Sequence, residues 1–338
     1  MKKYIIPIIA IGIACNAIIL IFHIDGQAMD RLRAIKPGWF LLTILLAHVP
    51  NLLNAVRVTL WTYFLNRPIG YREALHTVVS SELGASLSPT AIGGGPVKVG
   101  MLVKNGLSLG QGTSLTALSS LEDMLFFAIS MPLSYFMIGQ ENLSKIHNIL
   151  GTATNMLRPI IIYGLGIFAI IFLSWMLWRR FFTGKSFKVG SHLEKIQGTI
   201  RKAFGDFKNV FQFIASKGKK RFCLTMSITA LQWIARYSII TLLITSFGVP
   251  IDPFLFYFLQ TVVFGIMNFI PTPGAAAGAE AMFFLIYAPF LPMELIGILT
   301  IGWRFFTYYL MLISDSLIIA TLNFMPLPSR SRMRLTNY

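Results

Sequence analysis

The sequence predicts an all-α polytopic membrane protein: about six full spans plus two Pro/Gly-broken re-entrant hairpins, arranged as an inverted repeat. Three observations lead there. Of 338 residues 55% are hydrophobic and only 12% charged, where a soluble domain carries roughly a quarter charged residues. Several windows reach the ~20 apolar residues that cross a bilayer. Two further apolar stretches are interrupted by proline and glycine, in "SPTAIGGGPVKVG" from Ser88 and "IPTPGAAAGAEAM" from Ile270.

The start, "MKKYIIPIIAIGIACNAIILIF", has the basic beginning of a signal peptide. Its apolar run is too long for such a peptide and no small-x-small site follows, so it reads as an uncleaved first span over 4–22. Full spans follow at about 38–65, 113–138, 156–178, 222–247 and 294–322, and the broken stretches cover about 72–106 and 254–290. Together they make one membrane domain over 1–338, with repeat one at about 38–138 and repeat two at about 222–322. The loop from Arg179 to Arg221, residues 179–221, holds twelve Lys/Arg against Glu194 and Asp206, which places it in the cytoplasm. The basic start at Lys2 and Lys3 and the tail with Arg330, Arg332 and Arg334 put both termini there too, in a cytoplasmic (inner) membrane. By parity the stretch 254–290 begins and ends outside, and 72–106, flanked by Arg67, Arg72 and Lys104, begins and ends inside. Arg31, Arg33 and Lys36 fall outside against the rule, partly balanced by Asp25 and Asp30.

A net charge of +16 points to nucleic acid in a soluble chain. Here the basic residues lie between spans, where they meet anionic headgroups, so no nucleic-acid partner is expected. Leu193, Ile196, Ile200, Phe204, Phe207, Phe211 and Ile214 recur at steps of three and four. They make one apolar face of a helix over about 186–216, lying on the anionic inner leaflet or packed on the protein's own loops. Cys15 and Cys223 form neither a disulfide framework nor a metal site, and no cofactor is expected.

Superimposing Pro89-Thr90 on Pro271-Thr272 gives an offset of 182, from 89 to 271, which also places Pro68-Ile69 on Pro250-Ile251. The same offset sets Lys98 on Glu280 and Glu122 on Arg304, while Arg57 and Arg236 are three residues out of register. Interrupted helices that enter from opposite faces are how many transporters build a midplane site. Backbone groups freed by a break cannot face lipid, and amides at a half-helix N-terminus attract anions. Gly93, Gly94 and Gly95 with Lys98, and Gly274 with Arg304, therefore suit a phosphate headgroup. A mid-bilayer charge costs at least ~2.5–3.5 kcal/mol and needs a partner or a wet cavity. Arg57, Lys98, Arg236 and Arg304 can be set against Glu82, Glu122, Asp123, Glu280 and Asp315. In one reading Glu122, Asp123 and Glu280 compensate the headgroup-binding cations or couple ions, and Lys98–Glu280 and Glu122–Arg304 pairings switch the cavity between faces. A Lys98–Glu122 pairing is equally open. In the plainer reading all are structural ion pairs, and the glycines serve helix packing. His48 and His76 read as packing or interfacial residues.

Pro89 to Lys98, then Glu122-Asp123, then Pro271 to Glu280, then Trp303-Arg304 resemble the motifs of the flippase-like family known as the lysylphosphatidylglycerol synthase transmembrane region. The likeness covers nearly the whole chain. It departs at "GGGPVK", where a glutamate and an arginine are commoner. The resemblance implies movement of aminoacylated phosphatidylglycerol, or of a polyprenyl-phosphate or hopanoid-type lipid, between leaflets of a bacterial or archaeal membrane. The soluble aminoacyl-transferase domain that gives the family its name is not in this sequence, so synthesis of lysyl lipid is not expected.

Three functions follow for testing. The first is a translocase of an anionic or polyprenyl-phosphate-type lipid. The second is an intramembrane enzyme acting on a lipid phosphate, for which Glu122-Asp123 offers acids but no histidine pairs with a nucleophile. The third is a scaffold that binds envelope-synthesis enzymes through the basic loop. No P-loop is present, since "GGGPVK" lacks its spacing and its Ser/Thr.

Overall fold

The computed structural model describes residues 37–147 and 211–324, with isolated positions between them. The expected spans at 4–22 and 156–178, most of the basic loop with its surface helix, and both termini lie outside the described residues.

The described residues are helical and contain no strand. Four helices are long and apolar enough to cross a membrane: α1 (Pro37–Phe64), α4 (Leu109–Met137), α5 (Lys219–Ser246) and the run Met293–Phe324. They match four expected spans to within a few residues. The last run comprises α8 (Met293–Arg304), a π-helical turn (Phe305–Tyr309) and α9 (Leu310–Phe324). Burial follows the logic of lipid as solvent: Phe40, Leu41 and Leu45 of α1 are exposed, while Asn51, Arg57 and Thr62 of the same helix are buried. Polar groups that lipid cannot solvate collect inside, where they find partners.

Each proline- and glycine-rich run separates two short helices. The first pair is α2 (Tyr71–Ser86) and α3 (Gly94–Lys104), the second α6 (Pro253–Met267) and α7 (Gly278–Tyr287). Both fold back as hairpins. In the first, the Ser81 hydroxyl donates to the Gly94 carbonyl at 3.0 Å and the Asn105 amide to Thr77 at 3.3 Å. Glycine permits the approach, since a Cβ on Gly93 would stand 2.6 Å from the Gly84 carbonyl oxygen. The left-handed positions of this turn are not its glycines but Thr90 and Ala91, at φ 51° and 56°. In the second turn they are Gly274, Ala275 and Ala277.

The halves correspond in length and order. Helices α1 and α5 start at 37 and 219 and end at 64 and 246, each 182 residues apart. Beyond the breaks the spacing becomes 184: α3 and α7 start at 94 and 278, and α4 and α8 at 109 and 293. A single antiparallel bridge joins 89 to 273, also 184 apart. Two extra residues thus fall in the second break, and the structural partner of Pro89 is Pro273, not Pro271. Lys98 with Glu280, and Glu122 with Arg304, are therefore two residues out of structural register, contrary to the constant offset expected from the sequence.

The corresponding helices α1 and α5 run in opposite directions. Along α1 and α5, Arg57 Nη1 donates to the Thr229 hydroxyl at 2.6 Å, Arg221 reaches the Leu60 carbonyl at 3.4 Å, and Ala47 shares a core cluster with Ile239. As the number rises on one helix it falls on the other. Each hairpin also lies on the last span of the opposite half. On α2 and α9, Arg72 donates to the Leu322 carbonyl and the Tyr308 hydroxyl, just before α9, to that of Ser86. On α6 and α4, the Tyr257 hydroxyl donates to Ser130. The largest apolar core packs α6, α7 and α8, with the rings of Phe283, Tyr287 and Trp303 stacked.

Candidate functional site

Where the breaks meet lies a cavity of about 600 Å³. Its charged walls are Glu82 of α2, Arg236 of α5, Arg304 of α8 and Asp315 of α9, interleaved with aromatic residues that include Trp233 and Tyr308. At its rim Ala91, Gly265, Asn268 and Phe269 are exposed, so the space opens beside the two turns.

The two arginines are held differently. Arg304 is 1% exposed. It donates from Nε to Glu280 at 2.9 Å and from Nη2 to the Gly274 carbonyl at 2.7 Å, and lies 4.6 Å from the Tyr308 ring centre. Its place at the entry to the π-helical turn brings the guanidinium onto the left-handed Gly274. A Cβ at that glycine would overlap the Tyr308 ring, so no other residue fits there without moving it. Arg236 makes a looser pair, its Nη2 3.6 Å from Glu82 Oε2, with side chains 23% and 34% exposed. Its guanidinium lies over Trp233 at 5.3 Å. Asp315 is buried and accepts a hydrogen bond from the Asn51 amide at 2.9 Å.

A second network adjoins the cavity through Trp233. The Trp233 indole N–H donates to Asp123 at 3.0 Å, and Asp123 accepts from Arg57 at the same distance. Arg57 Nε lies 3.5 Å from Glu122, which also accepts hydrogen bonds from Trp61 and Thr225. Arg57, Glu122 and their threonine partners are buried, whereas Asp123 is partly exposed.

The expected site residues divide accordingly. Gly274 and Arg304 line the cavity, and so do Glu82, Arg236 and Asp315. Gly93, Gly94, Gly95 and Lys98 do not: Gly93 and Gly94 close the α2–α3 packing, and Lys98 is buried against α4, donating to Ser119 at 3.0 Å. Helix α3 turns its first turn toward α2 rather than toward the opening, which is why the glycine-lysine run does not line the cavity. Glu122, Asp123 and Glu280 also stand behind the cavity, on Arg57 and Arg304. The ion-pair partners shown for these carboxylates lie within each half, in place of the Lys98–Glu280 and Glu122–Arg304 pairings, while Thr225 and Trp233 of α5 donate to Glu122 and Asp123 across the halves. Sequence reasoning missed Asn51, Trp61, Ser119, Thr225, Thr229, Trp233 and Tyr308. Thr225, Thr229, Trp233 and Arg236 recur at three to four residues on α5, a polar stripe legible in an otherwise apolar span. His48 Nδ1 lies 2.8 Å from the Ile44 carbonyl of its own helix.

A relative from Archaeoglobus fulgidus, described as a UPF0104 membrane protein, is 24% identical over 323 residues, covering 89% of this chain and 92% of its own. The family model for the lysylphosphatidylglycerol synthase TM region matches residues 8–314. With the model spanning both hairpins and the helices that frame them, this chain belongs to the lysylphosphatidylglycerol synthase TM region family.

Proposed function

We propose that this protein is a lipid translocase, moving a lipid with a phosphate headgroup between the leaflets of a bacterial or archaeal cytoplasmic membrane. In this reading the two halves are an inverted repeat, and α2–α3 and α6–α7 re-enter the bilayer from opposite faces. The observation that carries it is the cavity where the turns meet, open at its rim and walled by unlike charges. A polar opening of this kind lets a headgroup pass the hydrocarbon region while the acyl or prenyl chains stay in lipid along the exposed Ile92 and Phe269. The phosphate takes Arg236, the more accessible of the two cavity arginines, from Glu82, while Arg304 keeps the Gly274 turn in shape. Envelope-synthesis enzymes are natural partners for such a step, and the part of the 186–216 segment before Phe211 is proposed to rest on the anionic leaflet, since Phe211 and Ile214 pack on the cluster that holds Ala55 and Trp61 of α1.

The test is reconstitution of the full chain into vesicles carrying a headgroup-labelled fluorescent phosphatidylglycerol, with dithionite bleaching of the outer leaflet. Wild type is expected to expose the inner-leaflet label. Arg236→Ala is expected to slow this about tenfold, the equivalent of ~1.4 kcal/mol, and Lys98→Ala to slow it less. Vesicles with wild-type protein that bleach no further than protein-free vesicles would overturn the proposal.

A further inference from the structure

The structure assigns a proton-binding role to Asp315, coupled to the arrival of an anionic headgroup in the same cavity; the second half of that statement rests on the translocase reading. Three carboxylates and two guanidiniums meet at or just behind the cavity wall. Arg304 is engaged by Glu280 and Arg236 by Glu82. Asp315 is the carboxylate whose hydrogen bond comes from a neutral amide, that of Asn51, although its side chain is buried. A charged carboxylate away from water needs a cation or a proton. Here the amide satisfies one oxygen in either state, and the cavity gives a path for the proton to the other.

The groups facing Asp315 come from each element around it. Glu82 of α2 and Arg236 of α5 act on it through their charge, and α1 contributes Asn51. Arg72, at the other end of α2, sits on the Leu322 carbonyl, and Tyr308 of the π-helical turn is tied to the Ser86 carbonyl. When a phosphate takes Arg236, the cation that had offset both carboxylates is engaged elsewhere. Asp315 then binds a proton more tightly: the carboxylate plus one proton from solvent becomes a neutral carboxylic acid, and the new negative charge is offset. Linkage requires the converse, so protonation of Asp315 strengthens headgroup binding by the same factor.

The purified full chain in weakly buffered micelles gives two readouts. Infrared difference spectra during a pH titration report the protonated-carboxyl C=O band, and a pH electrode reports proton uptake as phosphatidylglycerol is added. Wild type is expected to show the band and to take up a proton on lipid addition. Asp315→Asn is expected to lose both, while Glu141→Gln, on an exposed segment, keeps both. Should Asp315→Asn fold poorly, Asn51→Leu replaces it, and the band is expected at higher pH because the carboxylate has lost its donor. A band that persists in Asp315→Asn, a titration without any such band, or lipid binding that follows sodium instead of pH overturns the inference. Wild type that translocates lipid but shows neither band nor uptake removes the proton and leaves the translocase standing. A band with no translocation does the reverse.

Discussion

Glu280 and Glu82 each hold an arginine of one cavity, and their surroundings set different consequences for removing them. Glu280 is 1% exposed and its pair with Arg304 is enclosed. Glu280→Gln strands a buried guanidinium and is expected to lower stability by ~3–5 kcal/mol, read as earlier thermal unfolding in detergent. Glu82→Gln loosens a half-exposed pair, so its effect on stability is expected to stay within ~1 kcal/mol. Gly274→Ala forces a left-handed alanine against the Tyr308 ring and is expected to be worse than either. Its test is whether the substituted protein still elutes as a folded species. That Arg304 and Gly274 would line a cavity was legible because a charge or a glycine beside a break has few other uses in lipid. Lys98 lies away from the cavity for a physical reason: spacing places it past the break, but the direction of its helix face is set by the Gly84–Gly93 contact, which no charge pattern announces.

Helices α1 and α5 meet along most of their length, and their antiparallel register makes a prediction that neither helix makes alone. In a background with Cys15→Ser and Cys223→Ser, the pair Ala47→Cys and Ile239→Cys is expected to form a disulfide under mild oxidation. The pair Ala47→Cys and Thr229→Cys, close only if the equivalent helices ran parallel, is expected not to. Cross-linking at the second pair, seen as a mobility shift on gels, would contradict the register. Four spans and both breaks were readable from the sequence, since apolar runs of bilayer length and proline-glycine interruptions have direct physical meaning. The two-residue insertion was not readable. "IPTP" offers two prolines, and matching Pro89 to Pro271 gave the more regular charge pattern, whereas the chain pairs Pro89 with Pro273. The exchanged charges were partly a product of that choice.

Across the whole molecule, the contacts tie each hairpin to the last span of the opposite half, so that α2 lies on α9 and α6 on α4. In the proposed translocase, movement of one half against the other would change the cavity and both turns together, as alternating access requires. In the proposed arrangement this cavity is reached by two hairpins that enter from opposite membrane faces. Labelling of single cysteines in intact cells by a membrane-impermeant maleimide tests it directly. Arg67→Cys and Lys104→Cys mark the two ends of the first hairpin, and Pro250→Cys and Met293→Cys those of the second; all four positions are exposed. Pro250→Cys and Met293→Cys are expected to label in intact cells, and Arg67→Cys and Lys104→Cys only after permeabilisation. Labelling of all four from one side, or a split between the two ends of either hairpin, would contradict it.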